Sequence, residues 1–245
     1  MGKVWFFEID AARGLAILLM IAYHTVFCLY FFGTDLVPWF DPVTISGAPI
    51  CFMFVFIAGV STSLMTAKIP DARTAAKKLG RRALKILLCA ALVTFVTWLV
   101  YPAGFVIFGV LHLIGVSALL MIPFVIGKIR ALPAAIVGAA CIALSFLPLR
   151  GPLFLLPLGF GPGTVSMLDY EPLFPWFGVI LLGYAAGLVL YKGGARCKAL
   201  AGLEGKGRLC RPLCFLGRHS LIIYLVHVPV IILVLICLGL AHIGF

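Results

Sequence analysis

The sequence predicts an all-α fold, a polytopic membrane helix bundle of about seven transmembrane helices. The chain of 245 residues is 64% hydrophobic and only 11% charged, with a mean hydropathy of +1.21. A soluble domain carries about 25% charged residues, so this chain has too few to cover a water-facing surface. Its apolar runs recur at the length of about 20 residues that crosses a bilayer. These observations exclude a soluble enzyme, a nucleic-acid-binding domain and a disordered tail.

The first apolar run is expected to be a permanent span rather than a cleavable signal peptide. Glu8, Asp10 and Arg13 interrupt its approach, and no small-residue cleavage site follows it. A basic amphipathic stretch, 77–85, is predicted to lie at the lipid headgroups before the third span enters. The predicted spans are 9–31, 45–67, 83–101, 104–126, 132–148, 173–191 and 219–241.

The basic residues predict the orientation, because Lys and Arg mark cytoplasmic loops. With the N-terminus inside, the loops 68–82, 127–131 and 192–218 are also inside. Together with the interfacial ends of the spans, they hold every Lys and Arg except Arg150. We therefore expect a multi-pass protein of the cell membrane, N-terminus inside and C-terminus outside. The net charge of +11 then faces the inner leaflet, where anionic lipid headgroups or an anionic cytosolic ligand would be its partners.

The rest of the chain indicates a single transmembrane domain over 1–245, without internal repeats. The outer loop 149–172 is rich in Pro, Gly and Phe and is expected to fold over the bundle as a cap. The eight cysteines include no CxxC pair and lie mostly in apolar runs, so neither disulfides nor a metal site are predicted. A homo-oligomer is compatible with this sequence.

Three histidines, His24, His112 and His227, fall inside predicted spans. An ionisable side chain in hydrocarbon costs several kcal/mol and is a functional candidate. His24 lies roughly 16 Å beyond Arg13, His227 roughly 14 Å beyond Arg218, and His112 about 12 Å from the outer end of its span. The three could meet around one cavity, where imidazole suits proton uptake and release near neutral pH. The alternative is a neutral histidine bonded to a carbonyl of a neighbouring helix.

Other polar residues accompany these histidines. Ser220, Tyr224 and His227 fall at i, i+4 and i+7, on one stripe of the last span. Asp10 and Arg13 are i, i+3 neighbours that can pair at the start of the first span, where a carboxylate also favours the helix N-terminus. This pair indicates either ligand binding or an interfacial cap with a snorkelling arginine.

The first span resembles the opening of the transmembrane acyltransferase superfamily, in its acyltransferase-3-like form. There, an Asp-x-x-Arg-Gly start, here Asp10-Ala-Ala-Arg13-Gly14, precedes an apolar helix that bears a histidine, here His24. Three further stretches are similar to the prokaryotic branch of the heparan-alpha-glucosaminide N-acetyltransferase catalytic-domain-like family. They are 108–115, 169–178 and 216–227, and the matches follow the expected order along nearly the whole chain.

This resemblance implies a membrane acetyltransferase that moves an acetyl or other acyl group from cytosolic acetyl-CoA to an extracytoplasmic sugar amine or hydroxyl. His24 would be the catalytic base or a transient acyl carrier, and Asp10 and Arg13 would organise the cytoplasmic entrance. The eukaryotic lysosomal relative carries its catalytic histidine in the loop after the first span, but 31–48 contains no histidine. The phosphates of coenzyme A would bind Arg81, Arg82, Lys85 and Arg218, and the acceptor would meet His112, Asp169, Tyr170, Trp176, Ser220, Tyr224 and His227.

Two other classes of function remain open at this level. A proton-coupled transporter or flippase would use the histidines as a proton relay and consume no acyl-CoA, although the sequence shows no inverted repeat or paired broken spans. A b-type cytochrome would use facing histidines to ligate haem, although three histidines without paired spacing on two helices disfavour it. A purely structural membrane protein is disfavoured by the intramembrane ionisable groups.

Overall fold

The computed structural model describes residues 5–69, 71–163, 167–203 and 210–241, and all regular secondary structure within these ranges is helical. This confirms the predicted all-α class. The α-helices of the described ranges are α1 (Phe7–Phe31), α2 (Ala48–Lys68), α3 (Ala72–Val100), α4 (Val110–Leu120), α5 (Ile122–Ile126), α6 (Ala131–Leu144), α7 (Leu173–Leu190), α8 (Arg211–Arg218) and α9 (Ser220–Cys237).

Five helices among the described residues, α1, α2, α3, α7 and α9, are long and apolar enough to cross a membrane. Two shorter apolar segments, Val110–Ile126 and Ala131–Leu144, occupy the places of the predicted fourth and fifth spans. The predicted count of seven spans and the orientation of the termini stay predictions. The lengths and the apolar composition of these helices are nevertheless those of a membrane protein.

Helix α3 is longer than predicted, because it begins at Ala72 rather than near residue 83. The Asp71 carboxylate caps its first turn and accepts hydrogen bonds from the backbone N–H groups of Arg73 and Thr74. The Thr74 hydroxyl bonds to the same carboxylate and is the main cause that lowers the pKa of Asp71. Lys, Arg and Ala favour helix, so the basic stretch 77–85 continues directly into the apolar part of α3.

The predicted fourth span, 104–126, is wrong at its start and is interrupted. A 3₁₀ turn covers Pro102–Gly104, and α4 begins only at Val110. The helix breaks at Met121 because Pro123 lacks the N–H that would bond the carbonyl of Leu119. The last predicted span is also shorter than expected, since α9 ends at Cys237 rather than at 241.

The chain divides into two compact units, the first formed by 1–54 with 203–245 and the second by 55–202. The single-domain interpretation of 1–245 stays a prediction. In the first unit, α1 packs against α8 and α9. Near the C-terminal end of α1, Cys28 is buried in a cluster with Ile231, Leu235 and Ala241.

Helices α1 and α8 cross with their backbones in direct contact. A Cβ atom at Gly14 would lie 2.0 Å from the carbonyl oxygen of Leu213, and one at Gly217 would lie 1.9 Å from that of Asp10. Any larger residue at either glycine would push the two helices apart. Small residues at membrane helix interfaces allow this approach, so the two glycines determine how closely α8 sits on α1.

In the second unit, glycines likewise allow the backbones of α2 and α7 to come into direct contact. A Cβ atom at Gly59 would lie 2.0 Å from the Ile180 carbonyl oxygen, and one at Gly183 would lie 2.2 Å from that of Phe56. Helix α3 presents a face of small and aliphatic residues to the interior of this unit. Its buried residues are Ala75, Ala76, Leu79, Ala83, Ile86 and Ala90.

We expect Gly183→Ala to lower the free energy of unfolding by about 1–3 kcal/mol, because the added methyl group would overlap the Phe56 backbone. Thermal unfolding in detergent measures the effect. Gly80→Ala is the matched control, since Gly80 also lies inside a helix but its Cβ would meet only Ile122 Cδ1, at 3.9 Å. Equal melting temperatures for the two variants would contradict the close α2–α7 packing.

Candidate functional site

Two of the three predicted intramembrane histidines meet in the first unit. His24 on α1 and His227 on α9 have ring centroids 4.7 Å apart, with the ring planes at 87°, an edge-to-face arrangement. His24 is half-buried and His227 is 7% exposed. The α1–α9 packing therefore brings two imidazoles into contact from positions 203 residues apart in sequence.

Backbone carbonyls fix the tautomer of both rings. His24 Nδ1 lies 2.9 Å from the Met20 carbonyl oxygen, and His227 Nδ1 lies 2.6 Å from that of Tyr224. A carbonyl oxygen only accepts a hydrogen bond, so each Nδ1 carries a proton and donates it. In the neutral rings, the lone pair of each imidazole is therefore on Nε2, the atom that can act as base or nucleophile.

The Nε2 atom of His227 is buried and has no hydrogen-bond partner within the part of the chain that the structure describes. Leaving a buried polar atom unpaired costs about 1–3 kcal/mol. Such atoms are rare in folded proteins and often belong to functional sites. His227 thus places an acceptor nitrogen where a proton-bearing ligand would satisfy it.

One aromatic ring lies near each imidazole of the pair. The Tyr224 ring lies 5.5 Å from that of His227, and the Tyr23 ring lies 5.5 Å edge-to-face from that of His24. Tyr23 also contacts Phe40, which is only 4% exposed although it lies in the loop after α1. Sequence reasoning missed Phe40; its signal was the apolar run 36–40, Leu-Val-Pro-Trp-Phe, in the segment that connects the first two predicted spans.

Ser220 is the one member of the predicted stripe that lies away from the pair. It is the first residue of α9, seven positions before His227, which corresponds to roughly 10 Å along the helix axis. Ser220 therefore stands at the α8 end of α9, whereas the Tyr224 ring lies near that of His227, which contacts His24.

Asp10 and Arg13 tie the start of α1 to α8. The Trp5 indole donates to Asp10 Oδ2 at 3.0 Å, and Arg13 Nη1 lies 3.4 Å from Asp10 Oδ1. The same Arg13 nitrogen donates to the Gly217 carbonyl, also at 3.4 Å, near the C-terminus of α8. The Arg218 guanidinium lies over the Trp5 ring at 5.6 Å. These groups form what we call the α1–α8 clamp.

His112 belongs to the second unit and lies in the first turn of α4, not eight residues into a helix as predicted. Its Nδ1 accepts a hydrogen bond from the Gly109 N–H at 3.3 Å, and its Nε2 lies 3.3 Å from Thr94 Oγ1. The Thr94 hydroxyl donates its proton to the Val106 carbonyl. His112 Nε2 must therefore donate to Thr94, and both ring nitrogens hold the start of α4. That all three histidines line one cavity stays a prediction.

The carboxylate of Asp169 also caps α4. Asp169 Oδ2 accepts a hydrogen bond from the Val110 N–H at 3.0 Å, and a Cβ atom at Gly109 would lie 2.2 Å from that oxygen. A carboxylate at a helix N-terminus satisfies an unpaired N–H group and opposes the helix dipole. Asp169, which the sequence predicts to bind the acceptor, thus makes a hydrogen bond to the N-terminus of α4.

The end of the predicted outer loop, 168–171, packs onto the segment that leads into α4. The N–H of Leu168 donates to the Gly104 carbonyl at 2.9 Å, and that of Glu171 donates to the Phe108 carbonyl at 3.2 Å. This part of the loop covers the start of α4 within the second unit.

Tyr170 and Trp176 flank the end of that loop. The Tyr170 hydroxyl donates to the Leu156 carbonyl at 2.8 Å, and burial raises the pKa of Tyr170, so the hydroxyl stays a donor at neutral pH. Trp176 is half-buried in the first turn of α7. Both side chains lie in the second unit with Asp169 and His112.

An open depression of about 380 Å³ lies beside His112. Trp98 and Phe95, both about half exposed, form part of its wall, and their ring centroids are 6.4 Å apart. Its lining is mainly apolar, with polar atoms contributed by a threonine and a histidine. The lining residues are Ala91, Thr94, Phe95, Trp98, Phe105, Ile107 and His112.

The four basic residues predicted to bind coenzyme A are spread over both units. Arg81, Arg82 and Lys85 lie on α3 and are exposed, and Arg218 is exposed on α8 of the first unit. Arg82 also borders a cavity of about 20 Å³, large enough for one water molecule. Their phosphate-binding role stays a prediction. Among the residues that the structure describes, no group of three or more His, Cys, Asp or Glu could hold a metal ion.

A comparison with known protein families matches the part of the chain that carries both histidines of the pair. The family model described as heparan-alpha-glucosaminide N-acetyltransferase, catalytic, matches residues 6–229. The chain belongs to this family. The matched range includes α1 and the part of α9 that carries His227, so both members of the histidine pair fall inside it. No curated protein and no solved structure matches the chain.

Membership of the heparan-alpha-glucosaminide N-acetyltransferase catalytic family indicates a membrane acetyltransferase. This family membership also implies, in general terms, an acyl-CoA co-substrate. The apolar helices place the protein in a membrane, in agreement with the resemblance of 8–24, 108–115, 169–178 and 216–227 to this family.

We expect Asp169→Ala to lower the free energy of unfolding by about 1 kcal/mol, because α4 loses its N-terminal cap. Asp169→Asn keeps a side-chain oxygen and should lose less. Thermal unfolding in detergent measures both variants, with Asp35→Ala, which removes an exposed carboxylate, as the control. A melting temperature of Asp169→Ala equal to that of the control would contradict the capping role.

Proposed function

We propose that this protein transfers an acetyl group from cytosolic acetyl-CoA to a sugar amine or hydroxyl on the other side of the cell membrane, with His24 as the reacting residue. The observation that carries the proposal is the His24–His227 pair, in which the Met20 carbonyl holds His24 Nδ1 and leaves the lone pair on Nε2. Family membership supplies the class of reaction, and this pair supplies a group able to perform it.

Two routes are open to His24 Nε2. As a general base it takes the proton from the acceptor amine or hydroxyl while that group attacks the thioester carbonyl. As an acyl carrier it attacks the thioester itself, forms acetylimidazole and releases coenzyme A. In both routes positive charge develops on the ring, and the hydrogen bond from Nδ1–H to the Met20 carbonyl stabilises it.

We assign the binding of the acetyl donor, acetyl-CoA, to the basic residues, and the binding of the acetyl acceptor to polar groups beside aromatic rings. Guanidinium and ammonium groups suit the phosphates of coenzyme A, which favours the exposed Arg81, Lys85 and Arg218. Arg13 and Asp10 hold α8 against α1, so we give them a positioning role. For the acceptor we retain His227 and Tyr224 of the first unit, whereas the acceptor-binding roles of His112, Asp169, Tyr170 and Trp176 in the second unit stay predictions. The lipid bilayer and a second copy of the chain complete the proposed partners.

A proton-coupled transporter or flippase is the second candidate, and the paired intramembrane histidines favour it as well. In that case the two imidazoles would pass a proton between them and no covalent chemistry would occur. Flux that depends on a pH gradient, without consumption of acetyl-CoA, would identify this activity.

We expect His24→Ala to abolish the release of coenzyme A from radiolabelled acetyl-CoA by the purified protein, because the proposed reaction proceeds through His24 Nε2. His219→Ala is the control, since His219 is an exposed histidine between α8 and α9 and should react as wild type. Circular dichroism and thermal unfolding confirm that both variants fold. Wild-type turnover by folded His24→Ala would contradict the proposal.

A further inference from the structure

We propose that the exposed side of α8 binds the phosphate group of an anionic phospholipid, with Arg211 and Arg218 as the binding residues. A lipid bound there would hold α8 in place at the membrane surface. Because only His219 separates α8 from α9, the lipid would also stabilise the start of α9. This inference does not depend on the proposed acetyl transfer.

The two arginines lie on one side of α8, outside its contact with α1. Arg211, Phe215 and Arg218 fall at i, i+4 and i+7, and all three are exposed. The buried residues of α8 are Cys214 and Gly217, and Gly217 packs against α1. The two guanidinium groups therefore belong to one accessible surface, with their Cα atoms roughly 10 Å apart along the helix axis.

The Arg218 side chain is already held in a conformation that suits phosphate binding. Its Nε donates to the Cys214 carbonyl at 3.2 Å, and its guanidinium lies over the Trp5 ring at 5.6 Å from the centroid. Its two Nη groups make no hydrogen bond to the residues that the structure describes. A guanidinium group binds phosphate through such N–H donors, which can contact two oxygens at once.

The aromatic residues beside the arginines indicate the depth of this surface. Trp5 is 44% exposed, and Phe215 is 57% exposed with its ring 4.3 Å from that of His219. The apolar span α9 begins at Ser220, directly after this segment. Exposed aromatic rings and arginines together are typical of a helix that lies at the lipid headgroups. The rings would contact acyl chains while the guanidinium groups reach the phosphate.

The charge of this surface favours an anionic lipid. The segment 211–219 contains no Asp or Glu. The first turn of α1, which packs against α8, carries Glu8 and Asp10, and Asp10 is paired with Arg13. A zwitterionic lipid brings its own cation to the phosphate and gains less from two arginines than an anionic lipid does. Coenzyme A offers the same phosphate chemistry, but a soluble ligand would not account for the exposed ring of Phe215.

Titration with phosphatidylglycerol tests this site. Native mass spectrometry of the purified protein in detergent measures the affinity for the lipid. We expect Arg211→Gln to weaken it about fivefold and Arg211→Gln with Arg218→Gln about 25-fold, because each arginine contributes one favourable charge interaction. The single variant leaves the contact of Arg218 with Trp5 intact, so it carries the test if the double variant does not fold.

Thermal unfolding in nanodiscs measures the effect on stability. Replacing part of the phosphatidylcholine by phosphatidylglycerol should raise the melting temperature of the wild type by about 3 °C, because the lipid binds the folded state. Arg211→Gln should lose at least half of this increase. Arg73→Gln is the matched control, since Arg73 is an exposed arginine in the first turn of α3; it should behave as wild type.

Three outcomes would overturn the proposal. Equal melting temperatures of the wild type in the two kinds of nanodisc would show that no anionic lipid stabilises the fold. An equal loss of affinity in Arg73→Gln and Arg211→Gln would indicate attraction to the basic surface as a whole. Displacement of the bound lipid by coenzyme A would assign Arg211 and Arg218 to a soluble phosphate ligand instead.

Discussion

The close crossing of α1 and α8 is the contact on which the candidate site depends. Gly14 and Gly217 bring the two backbones together, and the Arg13 guanidinium joins the Gly217 carbonyl to Asp10. Because only His219 separates α8 from α9, the position of α8 determines where α9 begins. The meeting of His227 with His24 therefore follows from a contact near the other end of α1, roughly 16 Å away. The Asp-x-x-Arg-Gly pattern thus influences the position of the His24–His227 pair through the packing of α8 on α1.

Backbone hydrogen bonds decide what the two imidazoles can do. In a helix, a histidine can donate from Nδ1 to a carbonyl three or four residues earlier, and both His24 and His227 do so. This bond needs no partner helix, so it exists before substrate binds. It leaves the lone pair of each neutral ring on Nε2 and holds each ring in one orientation. In the proposed transfer, preorganisation of this kind would lower the reorganisation that the reaction requires.

The start of α4 shows that the same residue types can serve the fold. His112 and Asp169 satisfy N–H groups at the N-terminus of α4, and Thr94 completes the set. In a membrane, an unsatisfied N–H group at a helix start is costly, so polar side chains are needed there whether or not a ligand binds. A histidine and an aspartate near a predicted span end are therefore compatible with both roles, and only their hydrogen-bond partners distinguish them.

The sequence alone determined the all-α membrane class, because composition and run length limit which structures can satisfy backbone polar groups in lipid. It also singled out His24 and His227, since ionisable residues in apolar runs are rare for the same energetic reason. It misjudged the start of α4 by six residues, from 104 to Val110, because apolar loop and apolar helix have the same composition. The contact of His24 with His227, the burial of Phe40 and the capping by Asp169 were decided only by the tertiary structure, because each joins segments whose approach depends on helix packing rather than on local pattern.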